Sequence, residues 1–72
     1  MNNPLMFDIS QQEIIKMALH NAIQNEQTIA SKYGEMAKSI TNPTIQKHLQ
    51  SLEQTARNHI FLLTEQAQRL NL

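Results

Sequence analysis

From Ile15 onward the chain places Ile15, Leu19, Ala22, Glu26, Ile29, Tyr33, Met36 and Ile40 at spacings that alternate between four and three residues. A strand repeats every second residue, whereas alternating steps of four and three mark a helix laid along another helix. The same alternation returns in Ile45, Leu49, Leu52, Ala56, His59, Leu63, Gln66 and Leu70. Between the two runs stands Asn42-Pro43, an Asn suited to cap a helix and a Pro pre-organised for its first turn. So short a connection makes the helices antiparallel neighbours. The pattern predicts an all-α fold: an antiparallel helical hairpin with helices over about 11–40 and 43–70.

Ser10-Gln11-Gln12-Glu13 has the form of a capping box and sets the expected start of the first helix. Residues 1–10 are then an extended lead-in whose Leu5, Met6 and Phe7 are free to pack, and residues 11–72 form the two-helix domain. Gly34, the only glycine, lies inside the first run, where it weakens the helix and allows a neighbour to come close. The composition agrees: one Gly, two Pro and three aromatic residues among 72 fit an all-α chain better than a sheet.

Seventy-two residues make one small domain, and a chain of that size buries only about 60% of the surface its unfolded form exposes. Such domains are reinforced by disulfides, a metal or a partner chain, and with no cysteine the first route is closed. Two helices of about 45 Å have an interior only along the line between them. Ile60, Phe61 and Leu62 widen the apolar surface around His59 beyond what one facing helix covers. The economical solution is a homodimer in which two hairpins form a four-helix bundle. Ile15, Leu19, Ala22, Ile29, Met36, Leu49, Leu52, Ala56, Leu63 and Leu70 are the expected core and dimer seam.

Six basic and six acidic side chains cancel and form no block, so the chain lacks the basic surface that a nucleic-acid partner requires. No run approaches the length of a membrane span, and the uncharged start does not resemble a signal peptide. A soluble protein retained in the cell is expected. Catalysis is not expected, since there is no Cys, no Gly-rich phosphate loop and no Ser placed near His59. The four Met residues are spread along the chain and read as gap fillers.

The anomaly is Glu26, a carboxylate in the stripe the helix must bury. An isolated carboxylate in an apolar setting is costly and finds a partner or a proton. With the turn near residue 41, position n on the first helix faces about 83 minus n on the second, which brings Glu26 level with Ala56, Arg57 and His59. His59 is the expected partner. Tyr33 and Arg57 are expected beside the pair, Tyr33 with its hydroxyl on a carboxylate and Arg57 reaching Glu26 or Glu53. His20 and His48 fall beside the seams as surface residues. In a two-fold dimer two Glu26 and two His59 converge, a donor set that suits Fe, Mn or Zn.

At this point the chain resembles the ferritin-like and rubrerythrin-like proteins. Glu26 and Tyr33 match their first-helix Glu and Tyr, and His59 matches the His of their second-helix Glu-x-x-His motif. Ala56 stands where that motif's Glu belongs, so the di-iron oxidase chemistry of those proteins is not implied here. Glu53 lies on a different side of the helix and does not replace it. Within the same superfamily, Asn25 to Gln66 resembles the Coat F domain of spore-forming Firmicutes. The resemblance rests on Asn25-Glu26, Lys32-Tyr33, Asn42-Pro43 and Glu53 followed by His59. It implies a structural spore coat or coat-associated protein, made in the mother cell, that works through helical self-association and contacts with other coat proteins. Two alternatives stand beside it: a metal-binding protein with a reduced site at Glu26 and His59, and a small helical adaptor of a regulatory partner.

Overall fold

The computed structural model describes residues 9–71. It is a hairpin of two α-helices, α1 (Ile9–Ser39) and α2 (Pro43–Arg69), packed against each other and joined by residues 40–42. The lead-in reading with Leu5, Met6 and Phe7 falls on residues 1–8, outside the described residues. Helix α1 already includes Ile9 and Ser10, so Ser10 is not the residue that caps it.

The turn is built as Asn42-Pro43 leads one to expect. The Asn42 side-chain oxygen accepts from the backbone N–H of Thr44 at 3.0 Å and of Ile45 at 3.1 Å, filling two donors that the first turn of a helix leaves open. The other side of the turn is closed by Gln46. Its amide Nε2 donates to the carbonyl of Ala37 at 3.0 Å and of Ile40 at 3.3 Å, so α2 caps the last carbonyls of α1. Past Arg69, Asn71 adopts φ 59°, a left-handed conformation that Asn tolerates and that ends α2.

The helices meet along a line that keeps part of the expected stripe and elsewhere lies one residue beyond it. The most enclosed side chains are Ala30, Ala37, Leu49 and Ala56. Ile15, Leu19 and Ala22 are half-buried on α1 and Leu63 on α2, as are Ile40 and Leu70 just past the helix ends, all in their expected places. Ile29, Met36, Ile45 and Leu52, expected in the seam, are exposed at its edge, and on α2 Gln46, Glu53, Ile60 and Ala67 take the half-buried places expected for Ile45, Leu52, His59 and Gln66. The physical reason is size. Ile29 and Ala30 begin lines of equal seven-residue period, and so do Met36 and Ala37; the smaller side chains admit the closer approach of two helices. Met17 and Met36 are exposed as well, so they do not fill gaps within this chain.

The result is a rod of 61 × 15 × 12 Å with a radius of gyration of 17.0 Å, where a compact domain of this length has about 11 Å. Among the described residues no large side chain is fully buried. Among the described residues no helix is long and apolar enough to cross a membrane.

Candidate functional site

A helix turns by about 100° per residue, which divides each helix of the hairpin into two flanks on either side of the contact line. On α1, Leu19, Glu26, Tyr33 and Ile40 lie to one side of Ala30 and Ala37, with Ala22, Ile29 and Met36 beyond them. Gln27, Ser31, Gly34 and Lys38 lie to the other side. On α2, Ile45, Leu52 and His59 lie to one side of Leu49 and Ala56, whereas Gln46, Glu53 and Arg57 lie to the other.

Two contacts fix how these flanks match. Glu26 Oε2 stands 3.2 Å from His59 Nδ1 across the helices. The place a Cβ would take on Gly34 is met by the Glu53 carboxylate, with Oε2 at 3.0 Å. Glu26 and His59 therefore mark one face of the hairpin, Gly34 and Glu53 the other. The first face carries the apolar side chains of Ala22, Ile29, Met36, Ile45 and Leu52 around this pair and Tyr33, with Gln66 continuing the His59 line. The second is polar, and its shallow depressions are lined by Gln24, Gln27, Thr28 and Ser31 and by Ser31, Gly34, Glu35, Lys38, Glu53 and Arg57.

The structure thus brings together the pair the register pointed to. Within this chain the pair lies at the rim of the contact line, with the Glu26 side chain 23% and the His59 side chain 50% exposed. Arg57 is turned to the polar face, where its Nη2 lies 2.7 Å and its Nε 3.1 Å from the Glu53 carboxylate; of its two expected partners it holds Glu53. Tyr33 is half-buried on the apolar face, but its hydroxyl bonds to no carboxylate among the described residues. His20 and His48 are exposed.

For a metal, the donors within one chain are one carboxylate and one imidazole. Ala56, which stands where a ferritin-like protein would carry its second carboxylate, is buried in the contact line, and Glu53 is held on the opposite face by Arg57. The two-metal ligand set therefore does not fit this chain. Among the described residues no group of three or more His, Cys, Asp or Glu side chains is close enough to hold an ion. A single ion would need the donors of two chains.

Sequence reasoning named Glu53 as a partner of Arg57 but missed its place, with Gln46, in the half-buried line that continues through Ile60 and Ala67. The signal was available in their seven-residue spacing and in the level of Gly34, the one position on α1 where a long side chain from α2 finds room. Fold and site together define the class: an α-helical hairpin with one apolar and one polar face. The chain matches no protein-family model, no curated protein and no solved structure.

Proposed function

We propose that this protein is a structural, non-catalytic building block of the spore coat that acts through helical self-association and contacts with other coat proteins. The observation that carries the self-association is the exposure of Ile29, Met36, Ile45 and Leu52 on one face of a rod whose most enclosed side chains, among the described residues, are Ala30, Ala37, Leu49 and Ala56. A hairpin with so little buried apolar volume does not offset the entropy of ordering two long helices, and a second hairpin supplies what is missing. The polar face, with its Gln, Ser, Lys, Glu and Arg side chains, remains outward for contacts with other proteins. The spore coat assignment draws on the resemblance of Asn25-Glu26, Lys32-Tyr33, Asn42-Pro43 and Glu53 with His59 to the Coat F domain. A fluorescent fusion followed through sporulation tests it: a ring at the forespore surface is expected, and diffuse signal in growing cells without induction at sporulation overturns it.

One observation favours a second reading. The 3.2 Å approach of Glu26 to His59 sets a carboxylate and an imidazole side by side, and two chains pooling them would offer Fe, Mn or Zn four donors of the right kind. Elemental analysis of protein purified without added metal separates the readings. About one ion for each pair of chains supports the metal-binding protein, and metal-free protein that still associates supports the structural one.

A further inference from the structure

The exposed face carries a register. Because Glu26 touches His59, position n on α1 stands level with about 85 minus n on α2, a relation that Gly34 against Glu53 also meets within two residues. In the numbering of α1, His59 is then at level 26, Leu52 at level 33 and Ile45 at level 40. The outer apolar line of α1 sits at levels 22, 29 and 36, with Ala22, Ile29 and Met36. The two lines are thus offset by about half of their common period.

We infer that this face docks a second copy of the chain, related by a two-fold axis along the length of the rod, so that each α1 packs against the α2 of the partner. This deepens the self-association reading and rests on it. Rotation about that axis preserves levels. The side chains along the new contact then run Ala22, the partner's His59, Ile29, the partner's Leu52, Met36 and the partner's Ile45. Their steps are four, three, four, three and four residues, or about 6.0 and 4.5 Å along the axis. That is the interleaving by which helix surfaces pack. Leu62, which is 59% exposed, comes level with the small Ala22 of the other chain. A relative shift of three or four residues would bring Ile29 and Leu52 to the same level and set large side chains head to head.

Area supports a second copy as the occupant. The chain exposes 5906 Å², whereas a compact monomer of 8.3 kDa exposes about 4,600 Å². The surplus exceeds the roughly 800 Å² per partner buried in a standard specific interface. Charge agrees, because the carboxylate and the imidazole between the two apolar lines, Glu26 and His59, already hold each other. Closing the face leaves neither without a partner. The two pairs come to the same level on either side of the axis.

The natural chain has no cysteine, so single-cysteine variants report contacts cleanly. Ile29→Cys and Leu52→Cys chains carrying different tags are refolded together and treated with a short bismaleimide, and Met36→Cys with Ile45→Cys is tested in parallel. Circular dichroism verifies that each variant keeps its helix content. Sedimentation at micromolar concentration is expected to give twice the chain mass, with the mixed-tag product dominant for both pairs. A dimer in which Ile29→Cys links to itself and mixed products are lost overturns this geometry but leaves self-association standing. A stable, fully helical monomer overturns both.

Discussion

At the scale of single residues, the Glu26–His59 contact is an ion pair or a neutral hydrogen bond according to the imidazole's charge, on side chains that are 23% and 50% exposed within one chain. Pairs that open to water contribute little, because solvent screens them and two side chains lose freedom to form them. A double-mutant cycle of Glu26→Ala and His59→Ala is therefore expected to give a coupling of about 0.5 to 1 kcal/mol if the face stays open, and clearly more if a second chain covers it. Urea denaturation of the four proteins measures it. On the polar face Gly34 makes a contrary case. Glycine within a helix is about 1 kcal/mol less favourable than alanine, yet the added Cβ of Gly34→Ala would meet the Glu53 carboxylate at 3.0 Å. That carboxylate is the free end of a long side chain, so it can shift by a few tenths of an ångström. Gly34→Ala is expected to stabilise by about 0.5 kcal/mol or more, read as a rise in melting temperature, while loosening the Glu53–Arg57 bond. A drop in melting temperature would show that Glu53 is held more firmly than its single bonded neighbour, Arg57, implies.

At the scale of the elements, both helices, their order and their turn were legible in the sequence, and so was the pairing of Glu26 with His59. Spacing fixes the direction in which a helix is apolar, and Asn-Pro fixes where one helix stops and the next begins. What spacing could not fix was which of two adjacent lines lies innermost. Ile29 with Met36 and Ala30 with Ala37 have the same period; hydrophobicity favours the first and close approach the second. Ser10 has the chemistry of a cap, but it already lies within α1. The turn itself joins local and long-range bonding. Asn42→Ala removes the acceptor of two backbone N–H groups and is expected to cost about 1 kcal/mol. Gln46→Ala leaves the Ala37 and Ile40 carbonyls without their side-chain donor and is expected to cost a comparable amount. Because both residues hold one turn, the double variant should lose less than the sum, a departure that denaturation curves resolve.

At the scale of the whole molecule, the rod shape and the two unlike faces combine into one requirement. A chain whose enclosed side chains, among the described residues, are Ala30, Ala37, Leu49 and Ala56 has a stability tied to whatever covers Ile29, Met36, Ile45 and Leu52. If that is a second copy, folding and association are a single equilibrium and the melting temperature must rise with protein concentration. The surface ion pairs Glu35–Lys38 at 3.5 Å and Glu65–Arg69 at 3.6 Å do not alter this, since exposed pairs of this kind add a few tenths of a kcal/mol at most. Leu52→Glu provides the decisive variant. In the single hairpin residue 52 is 46% exposed, so a carboxylate there has access to water and the change alone should be tolerated. In the bundle the same carboxylate falls between the apolar Ile29 and Met36 side chains of the other chain, where burial of a charge is costly. The expected outcome is loss of the dimer by sedimentation together with a fall in helical circular dichroism at room temperature, partly reversed as the protein is concentrated. A variant that keeps full helicity at every concentration would mean that the hairpin holds itself together, and the apolar face would then have to be explained by a partner other than its own copy.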